Sequence, residues 1–141
     1  MKEKVLEAFA ELGFELTPME ELGFGFDYEN IHMLYLPQAN DDDFLNISIP
    51  GIYDVEEENP IAFLDLMNRV NSTLKYVKAY AGGDSLWLFY ERELLGDEDL
   101  PMVISRMILH LESALTFARN ALVEMKDVDK QEDTDESFDN E

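Results

Sequence analysis

Two histidines, 32 carboxylates and no cysteine are what this chain offers for chemistry. A metal centre needs ligands converging at set spacings, and a metalloprotease helix needs two histidines four residues apart around a Glu. His32 and His110 stand far apart in the chain with no such partner. Each is expected to be structural, His32 on a strand and His110 at the edge of an apolar helix stripe. Asp41-Asp42-Asp43 and Asp133-x-Asp135 begin like calcium loops but lack the glycine and closing Glu, or the length, that an EF-hand loop requires. Gly23-Phe24-Gly25 is half of a dinucleotide-binding glycine motif, with Tyr28 where the third glycine belongs. No P-loop and no nucleophile elbow occurs. Glu91 and Glu93 share a strand face, but acid/base work needs one carboxyl desolvated and the other not. In a chain this rich in acids, solvated surface is their default. The expectation is no catalytic residue, no cofactor and no metal, hence no enzyme.

Charge narrows the partners. Ten Lys+Arg oppose 32 Asp+Glu, a formal −22; two Lys and eight acids lie after Met125, so residues 1–125 hold eight basic and 24 acidic residues, a net −16. Such a body repels phosphate backbones and anionic lipid surfaces. Nucleic acid and membrane are therefore excluded as partners. The charge serves solubility, and it also suits a client with basic flanks. Acids at Glu3, Glu7 and Glu11 interrupt the N-terminus, which lacks the ~7–15 apolar residues of a secretory signal. No apolar run approaches the ~18 residues needed to cross a bilayer. With the absence of cysteine, which suits a reducing compartment, this implies a cytoplasmic protein.

The elements that would position any site follow from periodicity. Val5, Phe9 and Leu12 step along a helix over 2–12, with Gly13 at its C-terminal end. Phe24, Phe26 and Tyr28 alternate with polar or small residues, as a strand does. Ile31, Met33 and Tyr35 oppose His32, Leu34 and Leu36 on a second strand. Leu45, Ile47 and Ile49 mark a third, which Pro50-Gly51 is expected to stop. Pro18 argues against a central strand before them. Asn59-Pro60 starts a helix, with Asn as N-cap and Pro at the first helical position, running to about residue 74. A hairpin follows over 76–95, turning at Gly82-Gly83-Asp84. Ile104, Ile108, Leu111, Leu115, Ala118, Leu122 and Met125 form one stripe on a long helix over 99–126. The fold class is α+β: one mainly antiparallel five-stranded sheet in the order α-β-β-β-α-β-β-α. A single domain over 1–125 precedes an acidic, disordered tail over 126–141.

Strand 85–95 sets Leu86, Leu88 and Tyr90 against Trp87 and Phe89, apolar in both directions. Two readings stand open: a helix covers Trp87 and Phe89 as ordinary core, or three helices leave part of that face bare, and an apolar patch left open marks an interaction site. Trp87, Phe89, Leu34 and Leu36 are its candidate residues, because aromatic anchors carry much of the energy of protein interfaces.

From about residue 60 to 122 the chain resembles the YbjN family. The features are Leu66-Met67-Asn68-Arg69-Val70-Asn71, then Tyr76-Val77-Lys78, the Gly82-Gly83-Asp84 turn, the strand running into Glu93-Leu94-Leu95, and the long last helix. Residues 1–55 agree in element order only. The element order is similar to the type III secretion chaperone fold. The resemblance implies an acidic, non-enzymatic bacterial domain described as a sensory-transduction regulator, or a chaperone holding an extended client; it supplies no catalytic residues. The expected function is a protein-binding module. The alternatives are a small-molecule or enzymatic domain with a carboxylate-lined pocket and a purely structural oligomeric subunit. Self-association as a homodimer stays open beside a client protein.

Overall fold

The structure, a computed structural model, describes residues 1–37, 43–55 and 59–139, with side chains described as far as 126. Asp41 and Asp42 lie outside the described residues. Nine elements follow one another: α1 (Lys2–Glu11), β1 (Thr17–Met19), β2 (Gly23–Tyr28), β3 (Ile31–Tyr35), β4 (Phe44–Asp54), α2 (Pro60–Thr73), β5 (Val77–Gly82), β6 (Ser85–Glu93) and α3 (Leu100–Asp139). The strands form one sheet in the order β1-β2-β3-β4-β6-β5, with every pairing antiparallel.

Two expectations need correction. The sheet has six strands, not five, because Thr17–Met19 pairs with β2. Pro18 is tolerated there because β1 is an edge strand, where a missing N–H donor breaks no ladder. Pro50-Gly51 does not stop β4; the register shifts between Ile49 and Tyr53, with Gly51 at φ +60° supplying the left-handed residue. Beyond the bulge the strand continues to Asp54. Helix α3 extends as far as Asp139. No Gly or Pro follows Met125, so nothing in the backbone chemistry there ends the helix.

The three helices share one core. Their buried side chains form a single cluster with one face of the sheet, in which Met33, Leu45, Ile47, Leu86 and Leu88 are sealed from solvent. From α1 come Val5, Ala8 and Phe9; from α2, Phe63, Leu66 and Val70. From α3 come Ile104, Ile108, Leu111, Leu115 and Ala118 of the predicted stripe, joined by Met107, Ala114 and Ala121, while Leu122 and Met125 of that stripe are only partly buried. By length and mean hydropathy (1.2), Leu100–Lys126 would qualify as a membrane span. Its apolar stripe is instead the ridge on which the sheet packs.

Two devices tie α2 in place. Its start is capped as predicted, with Asn59 Oδ1 accepting from the Ala62 N–H at 3.2 Å. Near its end, the Asn71 amide donates to the Ala79 carbonyl at 2.9 Å and accepts from the Ala79 N–H at 2.6 Å. Those are groups on the outer edge of β5, so one side chain closes that edge. Arg69 pairs with Asp65 at 3.3 Å and with Glu124 of α3 at 3.6 Å. The chain then enters β5 through a tight turn in which the Val77 N–H reaches the Lys75 carbonyl at 2.8 Å and Tyr76 takes φ +69°. A left-handed Tyr is strained. Its ring is held by stacking on Tyr90 (5.6 Å between centroids, 4° between planes) and against His110 (5.1 Å). His110 is thus a packing residue.

Two outcomes are expected. Asn71→Ala strands both backbone groups of the buried Ala79 and should cost about 2 kcal/mol in urea-induced unfolding. Truncation after Met125 removes no residue of the described core, whose last member on α3 is Ala121. The melting temperature should then move by no more than ~2 °C.

The helix-free face of the sheet

Side chains alternate along strands, so every second residue faces away from the helices. The registers assemble these residues into rows. Leu34 stands beside Ser48, Ser48 beside Phe89, and Phe89 beside Lys78. In the next row Asn46 pairs with Glu91, and the Leu36 N–H donates to the Asn46 carbonyl at 3.0 Å. Trp87 pairs with Tyr80 in the row on the other side. The four residues singled out from sequence, Trp87, Phe89, Leu34 and Leu36, therefore share one face. None of them belongs to the helix-covered core cluster.

This face carries a cluster of stacked aromatic side chains. Tyr80 stacks on Phe89 at 3.8 Å and 6°, and Trp87 lies 5.8 Å from Phe89 at 17°. The Trp87 indole N–H donates to Ser85 Oγ at 3.0 Å. Glycines make room beneath the rings. A Cβ on Gly82 would stand 2.8 Å from the Trp87 indole, and one on Gly25 would stand 2.9 Å from the His32 ring. Aromatics laid over strand glycines replace the packing those glycines lack. The layer covers itself better than an open patch would: Leu34 is 2% and Phe89 5% exposed, while Leu36 and Trp87 are half-buried and Tyr80 is exposed.

Polar groups lie within the layer. Glu91 accepts from Asn46 Nδ2 at 3.3 Å and from the Tyr80 hydroxyl at 3.4 Å, and its other oxygen is 3.8 Å from Lys78 Nζ. Burial first, then the Glu91 carboxylate, pushes the Tyr80 phenol above its ordinary value. Asn46 and Ser48 are 4% and 0% exposed, yet Asn46 Oδ1 and Ser48 Oγ have no hydrogen-bond partner. At the far end of the face, exposed His32 and Asp27 approach to 3.1 Å.

Sequence reasoning passed over Asn46, Ser48 and Tyr80 and took Glu91 for solvated surface. A polar residue alternating with Leu45, Ile47 and Ile49 reads as solvent-facing, and only the registers reveal that two of these are enclosed. Asn68, Arg69 and Asn71 of α2 do not meet this face, and Arg69 and Asn71 are committed to the packing of α2. Open clefts elsewhere are lined by Ile61, Leu64, Asp65 and Arg69 (about 430 Å³) and by Glu29, Glu112 and Arg119 (about 450 Å³), while a third of about 390 Å³, lined by Glu15, Thr17, Asp27 and His32, adjoins the far end of this face. Among the described residues no group of three or more His, Cys, Asp or Glu could hold a metal ion.

An antiparallel six-stranded sheet with three helices on one face defines a YbjN-like α+β fold. The crystal structure of YbjN from E. coli, described as a candidate transcription regulator, superposes with a TM-score of 0.67 over 89% of this chain and 93% of that one, at 10% sequence identity. No protein-family profile and no curated protein matches the sequence.

Trp87 is the one tryptophan, so its emission reports on this face. Gly82→Ala should displace the indole, shift the emission to longer wavelength and lower stability by about 1–2 kcal/mol. Gly83→Ala strains the turn at φ +65° but meets nothing within 4 Å, and its emission should stay as in the wild type.

Proposed function

We propose that the chain is a non-enzymatic, regulatory or chaperone-like module that holds an extended segment of another protein on its helix-free sheet face. One observation carries this reading. Leu34, Leu36, Trp87 and Phe89 lie together outside the helix-covered core, on the sheet face turned away from the buried side chains of all three helices, with Trp87 stacked on Phe89. The sheet's edges are poor alternatives for strand addition. β1 has three residues with Pro18 in the middle, and Asn71 occupies the outer groups of Ala79 on β5. Docking is therefore assigned to the face.

The occupant is a segment apolar at its anchors and basic at its flanks. The −16 borne by residues 1–125 accelerates encounter with such a client and repels an acidic one. The same charge bears on the regulator description of E. coli YbjN. If this chain regulates transcription, it does so through a protein and not through phosphate contacts. A reducing cytoplasm is part of the proposal, on the absence of cysteine. A hydrolytic reading would need a nucleophile hydrogen-bonded to the exposed His32–Asp27 pair, and among the described residues no hydrogen bond joins Thr17, the hydroxyl in that cleft, to His32.

The test compares capture of partners from the source cell's lysate by the wild type and by the Trp87→Ala, Phe89→Ala double variant. Circular dichroism checks that the variant is folded, and light scattering follows self-association. A specific partner should bind the variant more weakly by over ~2 kcal/mol. Unchanged affinity in a folded variant rules the face out. An unfolded double variant makes the rings ordinary core, and Leu36→Ser alone, at a half-buried rim position, then decides whether the face binds.

A further inference from the structure

The enclosed oxygens of Asn46 and Ser48 specify what kind of group the face receives. A carboxylate only accepts hydrogen bonds, so the Asn46 amide must turn its NH2 toward Glu91. That orientation leaves Asn46 Oδ1 directed away from Glu91 and unpaired. Ser48 Oγ, one register step along the same strand face, is also unpaired. Removing such groups from water with no partner is costly, and a fold rarely tolerates two side by side without a use for them.

The ligand class follows from the surroundings. Two unpaired oxygens and a carboxylate call for a hydrogen-bond donor, and Glu91 makes a cationic donor the better match. Next to them stand Phe89, Trp87 and Tyr80; Phe89 is already stacked by the other two, so the π faces offered to a planar cation are those of exposed Tyr80 and half-buried Trp87. An arginine guanidinium satisfies all of these requirements. It is planar, stacks on aromatic rings, and projects several N–H donors in one plane, whereas a lysine ammonium is a compact, strongly hydrated point charge.

We infer that Asn46, Ser48 and Glu91, walled by Phe89 and Trp87, form a subsite for an arginine side chain of the segment docked on this face. This rests on the docking proposal above. The oxygens are closed to solvent, so the arginine enters only as side chains over them move aside; half-buried Leu36, whose N–H bonds the Asn46 carbonyl, is the neighbour on that side. Lys78, 3.8 Å from Glu91, is the resident cation that the guanidinium displaces. The subsite also gives the client's basic character a point of contact, beyond attraction to overall charge.

The experiment uses the full chain and Trp87 emission. The probes are three blocked synthetic pentapeptides that alternate leucine with arginine, with lysine, or with citrulline, the uncharged isostere of arginine. The arginine peptide should give a saturable change and bind at least about tenfold more tightly than the citrulline peptide. Asn46→Leu and Ser48→Ala leave the net charge unaltered, so they separate the subsite from bulk attraction. Each should abolish most of the arginine preference. Each should also hold or raise the urea midpoint, since an unpaired oxygen is removed. Equal binding of the arginine and citrulline peptides overturns the inference but leaves the docking face intact. Lysine matching arginine overturns the guanidinium assignment. A preference unaltered in both variants means that bulk charge is responsible. A fall in the urea midpoint of both shows that water or packing already serves these oxygens. If no peptide perturbs Trp87 at millimolar concentration, the subsite is refuted, and partner capture by the Trp87, Phe89 double variant judges the docking face separately.

Discussion

A central strand that is apolar on both faces must be covered twice, and β6 is that strand. It lies between β4 and β5, and its alternate side chains point into two unlike environments. On one side Leu86 and Leu88 are sealed beneath the helices, where each buried aliphatic side chain contributes roughly 1.5–3 kcal/mol. On the other side Trp87 and Phe89 have no helix, and stacking with Tyr80 takes its place at about 0.5–1.5 kcal/mol per ring pair. The glycines at 25 and 82, the aromatic layer and the enclosed polar residues are all consequences of covering β6 twice with helices on one side only.

Much of this architecture is legible in the residues. Asn59-Pro60 announces α2 by cap chemistry, the Gly82-Gly83-Asp84 run announces the hairpin, and the 4,3 steps after Ile104 announce the buried ridge of α3. Alternation also brings Trp87 and Phe89 to one face, and with the registers Leu34 and Leu36 join them. What escapes is long-range or local to a bulge. A three-residue strand around Pro18 has too little pattern to identify, and its pairing partner β2 alone makes it a strand. Pro50-Gly51 reads as a stop because a bulge and a turn use the same residues. The enclosure of Asn46 and Ser48 depends on which strands flank β4, and β6 lies more than 35 positions downstream.

The helix-free face also separates two demands that usually conflict. Stability resides mainly in the cluster beneath the helices, whereas recognition is assigned to a thin layer held by ring stacking and a few side-chain hydrogen bonds. Side chains in such a layer rearrange at less cost than those of a three-layer core, because they are packed from one direction only. Tyr76 belongs to the stable half. Its left-handed backbone costs about 1–3 kcal/mol, offset by the stack on Tyr90 and His110 that anchors the entry to β5 against α3.

The closed margins of the sheet limit how copies of this chain could assemble. A sheet with free margins grows by adding strands without end, which is the route to filaments. Here Pro18 interrupts one margin and the Asn71 clamp occupies the other, so that head-to-tail route is denied. Self-association through the helix-free face would set like against like about a two-fold axis, and such an isologous contact consumes the surface that forms it. Assembly by that route stops at two chains, and a dimer so made has no face left for a client.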